Sequence, residues 1–174
     1  MAAQVAFLRA INVGARRVSM DRLRAAFDDL GFDGVSTFIA SGNVLFTGDG
    51  TAPDLEKRIE AALAAALGFE VATFVRRASQ IGRIVAGHPF GKSVGDQVHV
   101  GFLKRRLDGS ARTAIERLSN ETDEVAAAGR EVYWLARGGM GRATISGAAL
   151  EKALGQPTTL RSLKMLSRLQ EKLR

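Results

Sequence analysis

Cysteine is absent from the 174 residues. Disulfides and cysteine-ligated zinc are thereby excluded. Histidine is scarce, with His88 and His99 alone. Neither stands at ligand spacing with a carboxylate, so no metal site is expected. No run approaches the roughly 18 apolar residues that a membrane-spanning helix requires. Met1-Ala2-Ala3-Gln4-Val5 has no basic stretch leading into an apolar one, so no secretory signal is expected. These absences point to a cytoplasmic protein with no membrane partner and no cofactor.

Several catalytic and binding signatures are missing as well. There is no nucleophile-elbow motif. Ala86-Gly87-His88-Pro89-Phe90-Gly91-Lys92-Ser93 ends like a phosphate-binding loop. Its first glycine is replaced by Ala86, and a helix rather than a strand precedes it, so a proline-terminated connector is expected. Gly138-Gly139-Met140-Gly141 lacks the last glycine of a dinucleotide loop and follows a hairpin strand. Phe7 and Phe46 fall on strands that RNA-recognition modules use for stacking, but the aromatic-rich signature is missing and core positions are expected.

What is present fits a globular chain. Hydrophobic residues make up 46%, enough for a packed core. The formal net charge is +7 and uneven: residues 1–100 hold 11 Lys/Arg and 10 Asp/Glu, while residues 101–174 hold 14 and 8. A basic second half suits either a solvated surface or an anionic partner such as RNA or DNA.

Hydropathy patterning predicts the elements. Gln4 to Arg9 reads as a strand. Ile11 to Val18, with Gly14, is irregular. Ser19 caps a helix whose Met20, Leu23, Phe27 and Leu30 share one face, and Gly31 stops it. Val35 to Ile39 and Asn43 to Thr47 are strands around the turn at Ser41-Gly42. A helix runs from Pro53 to Leu67, with Leu55, Ile59, Leu63 and Leu67 on its apolar face. Phe69 to Val75 is the fourth strand, and Ala78 to Ala86 a linking helix. The second half offers a strand over Gln97 to Lys104 and a helix over Arg112 to Leu118. A hairpin follows around Gly129-Arg130, then helices over Ala148 to Leu154 and Thr159 to Leu173. The β-α-β-β-α-β order of the first half is the split β-α-β pattern. The expected fold is α+β, with two ferredoxin-like halves built on mainly antiparallel sheets. Residues 1–86 form the first half with the linking helix; residues 87–174 form the second, with a basic terminal helix. Helices are expected on one side of each sheet.

Some of these segments carry a family pattern. Leu8-Arg9-Ala10-Ile11-Asn12-Val13-Gly14, Met20, Leu23, Gly31-Phe32 and Thr37-Phe38-Ile39-Ala40-Ser41-Gly42-Asn43-Val44 stand in order. Pro89-Phe90, Phe102-Leu103 and Thr159-Leu160-Arg161 follow. Together they resemble domain-of-unknown-function family 1697, an uncharacterised bacterial family, over essentially the whole chain. The resemblance implies a fold consistent with paired ferredoxin-like halves and a location for a site, but no reaction. Ala10 and Ala15 stand where the family usually has glycine, Ser162 where it has asparagine, and Leu163 where tryptophan is common.

The polar residues of the two N-terminal motifs form the candidate site. Arg9, Asn12, Gly14, Arg16 and Arg17 leave the first strand toward a helix N-terminus; Ser41 and Asn43 open the third strand. Split β-α-β topology makes those strands neighbours. A glycine-bearing loop offers backbone N–H groups, and arginines offer forks for phosphate or carboxylate. The expected ligand is therefore a small anion or phosphometabolite. Alternatively, Asn12 and Asn43 simply hold turns through side-chain-to-backbone bonds. The competing partner is nucleic acid, gripped by Arg161, Lys164 and Arg168 on the terminal helix. The bland reading of that helix docks its leucines and leaves its cations in water.

Overall fold

A computed structural model describes residues 1–39, 42–91 and 97–174. They divide into two compact units, Met1–Gln80 and Ile81–Arg174. The first contains β1 (Ala2–Leu8), α1 (Met20–Asp28), β2 (Asp33–Thr37), β3 (Asn43–Gly48), α2 (Ala52–Leu67) and β4 (Thr73–Arg77). Helix α3 (Ala78–Ala86) straddles the division. The second contains β5 (Val98–Phe102), α4 (Gly109–Glu116), β6 (Asp123–Ala128), β7 (Glu131–Ala136), α5 (Gly147–Leu154), β8 (Thr159–Ser162) and α6 (Leu163–Lys172).

Each unit holds one antiparallel four-stranded sheet, ordered β2-β3-β1-β4 in the first and β6-β7-β5-β8 in the second. Both orders are those of a ferredoxin-like fold. In the first unit, Ser19 caps α1 by accepting from the Arg22 N–H, and Leu23, Ala26 and Phe27 face inward. Thr51 caps α2, a proline sits in its first turn, and Gly68 closes it at φ 80°. That left-handed closure suits glycine because a Cβ is penalised there. Leu55, Ile59 and Leu63 of α2 meet Ala6, Leu8, Val44, Phe46 and Val75 of the sheet. Each such side chain contributes about 1.5–3 kcal/mol when fully buried. Phe27, Phe32 and Phe46 pack ring against ring at centroid distances of 4.6–6.2 Å. Phe7 and Phe46 are 0% and 2% exposed. They are core residues and offer no stacking platform.

The outer strand β4 is blunted on its outer edge. The N–H groups of Thr73, Val75 and Arg77 donate to Glu60, Glu56 and Gln80 side chains at 2.8–2.9 Å. Side-chain acceptors thus occupy donors that would otherwise invite another strand.

The second unit departs from expectation in two respects. Thr159 to Leu173 is not one helix. Thr159, Leu160, Arg161 and Ser162 pair with Phe102, Gly101, Val100 and His99, and α6 begins at Leu163. Ser162 serves as its N-cap, accepting from the Met165 N–H at 3.2 Å. The pattern Leu160, Leu163, Leu166, Leu169 imitates a continuous helix, but pairing with β5 decides the first four residues. Nor are all helices on one side of the sheet. Trp134 faces the cluster containing Ile115 and Leu150 of α4 and α5. Its neighbour Tyr133 points the other way and donates its hydroxyl to the Ile84 carbonyl of α3 at 2.9 Å.

Candidate anion-binding site

The connection from β1 to α1 is fixed at both ends. At its start, the Arg9 N–H donates to the Ala72 carbonyl at 2.9 Å. Ile11 is 3% exposed and anchors the loop in the core. At its end, the Val18 N–H donates to Asn12 Oδ1 at 2.7 Å. Between these anchors, residues 12–17 are exposed. Ala10, Asn12 and Gly14 have φ of 54°, 60° and 62°. Positive φ at every second residue curls the backbone, as in nests where N–H groups turn toward one side and attract anions. Glycine tolerates this geometry, asparagine accepts it, and alanine is strained by it.

The third strand brings the second motif alongside. Asn43 pairs with Phe7 across the β1–β3 ladder, so both motifs meet at one end of the first sheet. The Leu8 N–H donates to the Gly42 carbonyl at 2.8 Å. A Cβ at Gly42 would lie 3.2 Å from Leu8 Cβ and 3.4 Å from Ile11 Cβ, on a backbone at φ 78°. Close approach and left-handed backbone both call for glycine there. Asn43 is fully buried. Its amide donates to the Phe38 carbonyl at 2.9 Å, and the Phe38 N–H returns to the Asn43 carbonyl at 2.9 Å. Ile39 carries φ of 59° and is 43% exposed, an uncommon state for a β-branched residue. Ser41 lies outside the described residues.

These contacts divide the candidate residues by role. Asn12 and Asn43 direct polar atoms at backbone and hold the two turns. Arg9 is half-buried, while Arg16 and Arg17 are exposed. The Arg16 guanidinium lies 4.9 Å from the Phe69 ring centroid, a cation–π contact that orients it. No Asp or Glu occurs before Asp21, so the loop carries three arginines and no acid of its own. A shallow depression of about 340 Å³ adjoins the loop's start at Ala72, but Glu60 and Glu70 line it. Its chemistry repels an anion.

The residues considered for nucleic acid do not form one face. Arg161 is on β8 and 8% exposed, not on the terminal helix. Its guanidinium donates to Thr159 Oγ1 and the Leu160 carbonyl at 2.8 Å each. Burial pulls its pKa down to about 10. Lys164 and Arg168 are exposed on α6. In the segment that resembles a phosphate loop, Lys92 and Ser93 lie outside the described residues. Among the described residues, no group of His, Asp and Glu is arranged to hold a metal ion. No described helix is long and apolar enough to cross a membrane.

The left-handed alternation and the Phe69 contact were not legible in the sequence. The one available signal was Gly14 beside two asparagine-bearing turns, which marks turn geometry without showing which way it curls.

A search of curated proteins finds no match to this chain. Among solved structures, a conserved bacterial protein from Streptococcus pneumoniae is similar at 20% identity, with a TM-score of 0.75. The likeness covers 99% of this chain and 98% of that one, and it shows the fold. A family model described as "Protein of unknown function (DUF1697)" matches residues 1–133. The chain therefore belongs to that family.

Proposed function

We propose that this is a cytosolic protein that binds a small phosphate-bearing anion on the β1–α1 loop. Arg9, Arg16 and Arg17 supply charge, and the curled backbone around Asn12 and Gly14 supplies N–H donors. Asn12 and Asn43 are positioning residues that shape the two turns. The observation carrying this reading is the acid-free loop, with three arginines and positive φ at residues 10, 12 and 14. Such a segment stores backbone strain, and strain of this kind gathers where a ligand is met. The Arg16–Phe69 contact adds an orienting element.

Thermal melting with phosphate and nucleoside monophosphates tests the reading. Stabilisation follows RT ln(1 + [L]/Kd), so ligand at thirtyfold its Kd gives about 2 kcal/mol. The double variant R16A/R17A should melt like the native protein without ligand and gain nothing from phosphate. Asn43→Ala should instead lose about 1–3 kcal/mol of stability without ligand, because buried partners are left unsatisfied. Equal gains in native protein and R16A/R17A would refute the assignment.

A further inference from the structure

The second unit carries its own cationic notch at the corresponding end of its sheet. The ladders make the correspondence explicit. Val5 lies between Leu45 and Arg76, and Val100 lies between Tyr133 and Arg161. Counting forward from these valines, Val5-Ala6-Phe7-Leu8-Arg9 aligns with Val100-Gly101-Phe102-Leu103-Lys104. The loop entering α4 therefore occupies the place of the β1–α1 loop. It is short and pinned from beneath. Gln156 is 6% exposed. Its Oε1 accepts from the N–H groups of Lys104 and Arg105 at 3.1 Å, and its Nε2 donates to the Arg105 carbonyl at 3.0 Å.

Above this support lies a depression of about 480 Å³, with Arg105, Arg106 and Lys152 on its walls. Arg105 is tied to the Gly155 carbonyl at the end of α5 by a 2.9 Å hydrogen bond. Arg106 and Lys152 are exposed, and neither side chain makes a hydrogen bond or ion pair with a described residue. Asp108 is the one acid in the lining. It is engaged as the α4 cap, accepting from the Ala111 N–H at 2.8 Å and the Ser110 hydroxyl at 3.1 Å. Three cations thus face one committed carboxylate across a volume larger than inorganic phosphate. The space lies within the range of small-ligand pockets.

We infer that this notch is a second anion site, independent of the first loop, and that it takes a phosphorylated small molecule of mononucleotide size. Arg105 and Arg106 present planar forks to the phosphate, and Lys152 adds a point charge from α5. The pinned loop fixes the arginine backbone before the ligand arrives, which lowers the ordering cost of binding.

Amide NMR titration of the full chain with inorganic phosphate and with AMP, at constant ionic strength set by chloride, tests the inference. The expected result is saturable shifts at amides in 105–111 and 152–156, stronger for AMP than for phosphate. R106Q/K152Q should weaken that binding about tenfold or more, since charge-assisted hydrogen bonds are lost. R16Q/R17Q should leave it unchanged. Asp108→Asn keeps a capping side chain and removes the opposing charge, so it should tighten binding about threefold. Shifts that never saturate, or that survive R106Q/K152Q undiminished, would overturn the second site. Saturable shifts confined to residues 9–17 would also overturn it while leaving the first-loop reading intact.

Discussion

The two halves share a framework and differ in what they hang on it. Thr73-Phe74-Val75-Arg76 in the first corresponds to Thr158-Thr159-Leu160-Arg161 in the second. Both arginines are buried, at 2% and 8% exposure, and each donates to the carbonyl of the preceding residue at 2.8 Å. Opposite Gln4 and His99 of the central strands, the halves diverge. Phe46 of β3 packs against the Phe27 and Phe32 rings, whereas Trp134 of β7 donates its indole N–H to buried Asp123 at 2.8 Å. The loops diverge further. The first runs from Arg9 to Ser19, carries strain and pins itself through Asn12; the second is short and held by Gln156. Sheet register and core pattern are what the topology demands twice over. The loops at the sheet ends answer to no such demand, and binding residues gather disproportionately on loops held by a rigid scaffold.

The largest test of this comparison strikes the polar anchor that the first half lacks. Asp123 also accepts from the Thr144 N–H at 2.7 Å, the Thr144 hydroxyl at 2.6 Å and the Ile145 N–H at 3.3 Å. Asp123→Ala leaves buried donors unsatisfied and should cost about 3 kcal/mol or more in denaturant unfolding. Burial opposes its charge, yet the hydrogen bonds from Thr144, Trp134 and Ile145 prevail and hold its pKa below the usual carboxylate value. The carboxylate's contribution is therefore present above the unfolded pKa and is lost as pH falls through the folded one. The native protein should weaken in acid more steeply than Asp123→Asn.

A smaller effect comes from moving a first-half residue into the second half. Ala6 and Gly101 correspond, but a Cβ at Gly101 would stand 2.6 Å from Val132 Cγ1 and 2.7 Å from Thr158 Oγ1. Gly101→Ala should cost about 1–3 kcal/mol through overpacking. An unchanged melting temperature would show that the second core is looser than its geometry.

Ala10→Gly runs in the opposite direction. Relief of an alanine at φ 54° outweighs the added freedom of the unfolded chain, so stability should rise by about 0.5–1 kcal/mol. Ala15 is not among the residues with positive φ, so Ala15→Gly should bring no gain. A gain at position 15 and none at 10 would contradict the described loop.

The smallest effect concerns the position where Gln4 of the first half corresponds to His99 of the second. Burial lowers the His99 pKa. A hydrogen bond with the Gln97 backbone opposes that shift without reversing it. The folded state thus disfavours the charged ring. Stability should be full above the unfolded value of 6.5 and decline as pH falls below it. His99→Gln should flatten that slope; an unaltered slope would place the titration elsewhere.

Much of the framework was legible in the sequence. Ser19, Gly31 and Pro53 punctuate the first-half helices, and their leucines recur at helical spacing. The pairing of β1 with β3 followed from split β-α-β topology. Strand β8 was not legible, because four residues take their state from β5 while leucines at spacing three imitate a helix. The notch was hidden for a different reason. Arg106, Lys152 and Gln156 come from segments about fifty positions apart, and no local motif marks their meeting. The roles of Asn12 and Asn43 needed coordinates, since ligand contact and turn support use the same side chain.

Crystals grown in phosphate, set against crystals grown in chloride alone, reveal whether the first loop meets an anion. A tetrahedral peak is expected within hydrogen-bonding distance of N–H groups in residues 10–15 and of at least one guanidinium among Arg9, Arg16 and Arg17. That peak should vanish in R16Q/R17Q crystals under the same conditions. Water alone along the loop, in crystals whose phosphate exceeds the concentration that shifts melting, would contradict it.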